Sequence, residues 1–294
     1  MQSTEKKASL RKQIEDKNKI MVLPGVFDAL SARIAEQVGF QAIFQTGYGS
    51  AAALLGMPDF GFLNAGETVD NARRIIRAVN IPVIIDIDTG YGNPLTVWRL
   101  VSDLESMGAA GAFLEDQIWP KRCGHMKGKD VIPKDDYLQK LKAALDARKS
   151  SDFIIVARTD ARATLGLEEA IKRGKAYEKN GADVVFIEAP KSEVELKTIA
   201  DQISAPLVAN MIEGGATPFL TAKELFKIGY RIGVFPLSGL FAATYAMKQV
   251  FTDLKEKGTT AASHELMTTF EEFNRFVDLQ KYMDLDRRYT QKTL

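Results

Sequence analysis

The sequence predicts an α/β fold of the (β/α)8 TIM-barrel type with an additional C-terminal helical segment. Three observations carry this. Eight short apolar runs alternate with amphipathic stretches, the pattern of repeated β-then-α units. Most runs are near-continuous in Val, Ile, Ala, Leu and Phe, as parallel strands buried on both faces require. No GxGxxG follows the first run, so the fingerprint of the rival doubly wound dinucleotide fold is missing.

Taken in order, residues 1–19 are rich in Lys, Glu and Gln and read as an N-terminal helix or arm. Strands are expected at 20–24, 42–46, 83–88, 110–115, 153–158, 184–188, 207–210 and 232–236. Between them, 3.6-residue periodicity predicts helices at 67–79, 95–107, 137–148, 167–180 and 194–203. Gly39, Gly108, Gly181 and Gly229 each follow a helical stretch and precede a strand, which suits a helix C-cap. The tail, 258–294, reads as one or two further helices, the first over 261–278, in a position to be exchanged between subunits. The whole of 1–294 is read as one barrel domain, since a barrel takes roughly 250 residues.

Composition narrows the function classes. Lys plus Arg (39) nearly cancels Asp plus Glu (38), so nothing points to nucleic acid or an anionic membrane as partner. No stretch approaches the ~18 apolar residues of a membrane span, and the N-terminus lacks the apolar core of a signal peptide. A single cysteine, Cys123, excludes an intrachain disulfide, and a cytoplasmic location is expected.

In such a barrel the active site lies at the C-terminal ends of the strands. Seven of the eight expected strands carry a polar residue at or just past that end: Asp28, Thr46, Asp86 with Asp88, Glu115 with Asp116, Arg158 with Asp160, Glu188, and Asn210. Singly, each has a plain explanation as a helix cap or ion-pair partner. Together they suggest a metal-carboxylate rim. Asp86 and Asp88 stand at i and i+2 of a strand, hence on one face. Their mutual repulsion is relieved by a hard cation, and Mg²⁺ takes one or two carboxylates and keeps waters.

Lys121-Arg122-Cys123-Gly124-His125 holds the lone cysteine and one of two histidines. Two adjacent cations are expected to lower the thiol pKa and make Cys123 a proton donor or nucleophile. One Cys and two His (His125, His264) cannot close a structural zinc site. Arg158 ends a buried strand, where an unpaired charge is costly. It is expected to grip a substrate carboxylate in bidentate fashion, or to pair with Glu115 or Glu188, or both.

From about Met21 to Tyr282 the chain resembles the isocitrate lyase/phosphoenolpyruvate mutase superfamily. The most specific likeness is Lys121–His125 to the K-[KR]-C-G-H lyase signature; Asp86–Gly92 resembles the metal motif and Asn210–Gly215 a strand-seven segment of the petal-death protein. Within the superfamily it is most similar to the 2,3-dimethylmalate lyases and petal-death protein, next to methylisocitrate lyases. The resemblance implies that Asp86, Asp88, Asp59 and Glu115 hold Mg²⁺ (Mn²⁺ being a substitute), with Glu188 nearby. It implies that Thr46, Gly47 and Tyr48 cradle the keto acid, with Gly124, His125, Arg158, Glu188, Asn210 and Phe241 also facing substrate. Arg158 would stabilise developing charge and Cys123 would protonate the carbanion left when the C–C bond breaks. It also implies a homotetramer built as a dimer of dimers.

Departures from the family pattern point to the substrate. Methylisocitrate lyases carry Arg at the positions of Phe241 and Phe270, and a Thr where Ile212 stands. Replacing two cations by Phe removes partners for a third carboxylate and leaves an apolar wall. The expected substrate is therefore a small 2-hydroxy dicarboxylate with methyl groups, such as 2,3-dimethylmalate, cleaved to pyruvate and a carboxylic acid. Methylisocitrate cleavage, oxaloacetate hydrolysis (whose enzymes carry Ser where Pro236 stands) and phosphonomutase chemistry are the alternatives. A catalytically silent binding barrel is the contrasting class.

Overall fold

The computed structural model describes residues 3–126 and 128–290; the first two and last four residues of the expected N-terminal arm and C-terminal tail lie outside them. By its contacts the chain divides into two compact units, Met1–Leu240 and Phe241–Leu294.

The first unit is the barrel. Its strands are β1 (Met21–Val26), β2 (Ile43–Gln45), β3 (Val83–Asp86), β4 (Gly111–Glu115), β5 (Ile154–Thr159), β6 (Val184–Ile187), β7 (Leu207–Asn210) and β8 (Ile232–Phe235). They pair in parallel in sequence order, and β1 closes on β8 with Met21 opposite Ile232. The helices are α1 (Ser3–Glu15), α2 (Ala29–Val38), α3 (Gly47–Leu55), α4 (Ala65–Ala78), α5 (Pro94–Met107), α6 (Lys134–Ala147), the single turn α7 (Ala161–Thr164), α8 (Leu167–Lys179), α9 (Glu193–Gln202) and α10 (Ala222–Ile228). All eight expected strands and the five expected helices are present, with ends moved by three residues or fewer. The glycine stops are left-handed as expected: φ is 104° at Gly39, 98° at Gly108 and 94° at Gly181. Asp28, placed on the polar rim by the sequence, accepts from Ser31 N–H and caps α2. Here the plain explanation of the residue holds.

Alternation along the strands sorts side chains into two cores. One set, including Ile85, Ala112, Ile155, Val185 and Ala209, packs outward against the helices. The other, including Leu23, Phe44, Ile84, Phe113, Val156, Phe186, Val208 and Val234, fills the barrel. Leu10 and Ile14 of α1 belong to that inner cluster. Around them Lys7 pairs with Glu105 at 2.7 Å, Arg11 with Asp183 at 2.7 Å, and Lys6 donates to the Val79 carbonyl. These partners precede strands, so α1 lies across the N-terminal mouth and plugs it.

The second unit contains most of α11 (Ser238–Lys257), a 3-10 turn at Ala261–Leu266, α12 (Phe270–Phe276) and α13 (Leu279–Tyr289). The single helix expected over 261–278 is thus broken. Thr269 caps α12 with Glu272 in a reciprocal capping box, which starts a new helix there. Among the described residues no helix is long and apolar enough to cross a membrane.

Candidate active site

On β3 to β7 the inner face runs from apolar residues to a polar one at its C-terminal end. Ile154 and Val156 precede Arg158, Val184 and Phe186 precede Glu188, Val208 precedes Asn210, Phe113 precedes Glu115, and Ile84 precedes Asp86. One pleat period therefore brings the functional groups of different strands into a single layer above the core. That layer surrounds a cavity of about 40 Å³ lined by Thr46, Tyr48, Asp59, Asp86, Cys123, Gly124, Arg158, Glu188 and Asn210. Phe44, Phe113 and Phe186 form its apolar floor, with ring centroids 4.6 Å and 6.0 Å apart in succession.

Arg158 organises one side. Its guanidinium pairs with Asp160 (2.8 Å), Glu188 (3.2 Å) and Glu115 (3.3 Å), and lies 5.3 Å over the Phe186 ring. Both ion pairs read from sequence are present, and Asp160 is a third. Burial opposes the charge of Glu188, but Arg158 and the His125 hydrogen bond outweigh it and hold the carboxyl well below its usual range. Asn210 Nδ2 donates to the same carboxylate at 3.2 Å. Asp116, by contrast, faces away: it accepts from Thr159, Arg173, Tyr177 and the Asp160 N–H, and braces the strand ends.

The acidic side holds Asp59, Asp86, Asp88 and Glu115. Burial and the charge of Asp88 push Asp86 up to about 6, and burial raises Glu115 well above its ordinary value. Asp86 accepts from the N–H of Gly47, at the start of α3, at 3.2 Å. Lys121 Nζ lies between Asp59 and Asp88, 2.6 Å from each. Its ammonium offsets charge that would otherwise be buried unpaired. Glu115 Oε1 is buried with no hydrogen-bond partner among the described residues, an acceptor left open for a cation or its water. Among the described residues no three carboxylate, imidazole or thiol groups converge closely enough to ligate one ion together. The donor set fits a hard ion held by one or two carboxylates and otherwise by water, the habit of Mg²⁺.

The signature loop closes the cavity. Cys123 N–H donates to the Asp59 carbonyl, Gln117 brackets Arg122 through both ends of its amide, and Lys129 bonds the Gly124 carbonyl and Asp160. Gly124 has to be glycine: a Cβ there would lie 2.4 Å from Glu188 Cγ and 2.5 Å from Arg158 Nη2. His125 Nδ1 accepts from Ala216 N–H at 2.8 Å, so its Nε2, 3.1 Å from Glu188, carries the proton. Both ring nitrogens are thereby engaged by the protein itself.

The expected lowering of the Cys123 thiol is overturned. Burial pushes it up to about 11, and Asp59 and Glu188 add to the rise. The neighbouring cations turn elsewhere: Lys121 pairs with Asp59 and Asp88, and Arg122 lies over the Phe60 ring. Cys123 is therefore a protonated thiol, suited to giving a proton and not to acting as a thiolate nucleophile. Burial, then Cys123 and Asp59, likewise raise the Tyr48 phenol.

Of the residues singled out by sequence, Phe241 belongs to the second unit, as does Phe270. Sequence reading missed the bridging role of Lys121 and missed Tyr91, Gln117 and Lys129. Lys121 stood inside a recognised motif, but its partners are 62 and 33 residues away, and no local pattern announces them.

Comparison with known proteins agrees with this geometry. The family model described as phosphoenolpyruvate phosphomutase matches residues 10–255. The chain is 44% identical over 282 residues to 2,3-dimethylmalate lyase of Eubacterium barkeri, covering 96% of this chain and 97% of that protein. It is 50% identical over 275 residues to the chloroplastic carboxyvinyl-carboxyphosphonate phosphorylmutase of Arabidopsis thaliana, covering 92% and 81%. Among solved structures, oxaloacetate acetylhydrolase in complex with 3,3-difluorooxalacetate superposes with a TM-score of 0.91 at 36% identity, over 98% of both chains. Phosphonopyruvate hydrolase in complex with oxalate and Mg²⁺ does so with a TM-score of 0.87 at 28% identity, over 97% and 99%. A closed barrel, a carboxylate-rich mouth and these relatives lead to one conclusion: the chain belongs to the phosphoenolpyruvate phosphomutase family, in the isocitrate lyase/phosphoenolpyruvate mutase superfamily, as an enzyme of the carbon–carbon lyase type.

Proposed function

We propose that the protein is a Mg²⁺-dependent lyase that cleaves a small 2-hydroxy dicarboxylate such as 2,3-dimethylmalate to pyruvate and propionate. One observation carries the reading: a half-buried thiol held protonated, a guanidinium and a cluster of carboxylates share one small cavity with an aromatic floor. A thiol kept protonated is what quenching a carbanion needs, and apolar rings accept methyl groups.

The chemistry balances as a retro-aldol (Claisen-like) cleavage. The 2-hydroxyl loses its proton to a base, and the oxygen lone pair forms the pyruvate carbonyl. The C2–C3 bonding pair moves onto C3 as the enediolate of propionate, and Cys123 Sγ–H returns a proton to that carbon. Asp86 and Asp88, with Asp59 and Glu115 through water, would hold Mg²⁺, which when bound polarises the forming keto acid. Thr46 and the N-terminus of α3 would receive the carboxylate, since the helix dipole favours an anion there, although the Gly47 and Gly49 N–H groups are already taken by Asp86 and Thr46. Arg158 supports the developing oxyanion from the opposite side. The loop bearing Cys123 and Gly124 excludes water, which protects the carbanion from premature protonation.

The plant relative favours a phosphonomutase as second reading, against which stands the Cys123–His125 loop. The deciding assay couples pyruvate release to lactate dehydrogenase, with 2,3-dimethylmalate and methylisocitrate as substrates and Mg²⁺ present, for wild type and Cys123→Ser. Turnover of dimethylmalate, lost on substitution, is expected. A preference for methylisocitrate would reject the argument from Phe241 and Phe270. Silence on both would shift the assignment to oxaloacetate hydrolysis or phosphonate rearrangement.

A further inference from the structure

We propose that Tyr91 is a positioning residue that fixes one oxygen of Asp88 and thereby aims the other at a divalent cation; this deepens the metal-dependent reading and rests on it. Past the end of β3 the chain makes an unusual turn. Asp88, Gly90 and Tyr91 all have left-handed backbones, with φ of 50°, 81° and 56°. Side chains rarely adopt this region, so two of these three residues sit where glycine would be easier. The turn is pinned at both ends: Gly90 N–H donates to Ile87 O at 2.8 Å, and Glu115 N–H to Asp88 O at 2.9 Å. Gly90 itself cannot carry a side chain, because a Cβ would lie 2.3 Å from Val97 Cγ2.

What this turn achieves is a contact. It folds the Tyr91 ring back so that its hydroxyl lies 2.8 Å from Asp88 Oδ2 and 2.8 Å from Thr68 Oγ1. An ionised carboxylate only accepts, so the chain of donors has one direction: Thr68 to Tyr91 to Asp88. Thr68, on α4, is itself buried, which makes the anchor rigid. Trp119 covers the Tyr91 ring at 5.7 Å. With Oδ2 held from behind, Asp88 presents Oδ1 forward, where Lys121 Nζ meets it. A carboxylate free to rotate would lose that aim. Partners of this kind behind a metal ligand typically contribute about 10–100-fold in metal affinity.

Tyr91→Phe tests this, since it keeps the ring and its contact with Trp119 and removes only the hydroxyl. Mn²⁺ binding to the substrate-free enzyme, followed by electron paramagnetic resonance, is the readout. The expected result is a Kd raised about 10–100-fold, with kcat recovering toward wild type when Mg²⁺ is saturating. Thr68→Val, which removes the second donor, is expected to weaken Mn²⁺ in the same direction and by less; it also serves if the first variant does not fold. Affinity within twofold of wild type in the folded variants would overturn the proposal, even if Tm falls, because Tyr91 would then be structural only. Failure of the wild-type enzyme to bind Mn²⁺ would instead overturn the metal-dependent reading and the proposal with it.

Discussion

Asp86 and Cys123 are both shifted upward by burial, and the two shifts have opposite uses. For Cys123 the rise preserves the proton it is proposed to give. Cys123→Ser is expected to lower kcat about 10²–10⁴-fold, the usual worth of a positioned proton donor, with KM little changed; steady-state kinetics checks this. For Asp86 the rise costs stability. Its carboxyl, pushed up to about 6 in the folded protein, ionises near 3.9 in an unfolded chain. The sign then follows: the cost is absent below about 3.9, grows through that interval, and is complete above about 6. Asp86→Asn should therefore stabilise the metal-free protein by about 1–3 kcal/mol at pH 7 and by nothing at pH 3.5, while removing activity. Urea unfolding in chelator at the two pH values measures the difference; equal stabilities at pH 7 would contradict it.

At the scale of elements, the site and the stability of the barrel sit at opposite mouths. α1 seals the N-terminal mouth with Leu10 and Ile14, and its charged side chains fasten it to segments that precede strands. Leu10 is fully buried. Leu10→Ala is expected to cost about 2–5 kcal/mol through lost burial and the cavity left behind. Because the rim residues lie on the far side of the barrel's apolar layers, kcat should stay within about twofold of wild type in the folded variant. A fall in Tm with unchanged kcat is the expected pairing; a large kcat loss would mean that α1 sets the geometry of the catalytic mouth.

For the whole molecule, the second unit is unusual in what it leaves uncovered. None of the residues of α11, α12 or α13 is buried, although Tyr245, Phe251, Phe270, Phe273 and Tyr282 are among them. Large apolar side chains left exposed in this number are material for an interface. We propose that these helices pack between subunits of a homotetramer. Sedimentation equilibrium at micromolar concentration should then give a mass about four times the 32.5 kDa of one chain. A monomer mass would dismiss the assembly and leave that surface unexplained.

The barrel was legible in the chain's local pattern, since near-continuous apolar runs alternating with helical periodicity, and glycine stops, are local signals set by sterics and burial. The match at 207–210 and the left-handed glycines follow from that. Most of the polar residues that share the rim were legible too, because strand position fixes the face and, in a closed barrel, the mouth; Asp28 and Asp116 are the exceptions. The tertiary structure alone decided the pairings. Asp28 caps a helix although it stands in a rim position, and Lys121 turns from its neighbour Cys123 to Asp59 and Asp88. The thiol expected to be acidic is held protonated by burial that no adjacent residue reveals. Tyr91 reaches Asp88 only through a left-handed turn. Partner choice, burial and orientation depend on which distant segments meet, and the electrostatics of a buried site are fixed by that meeting and not by neighbours in the chain.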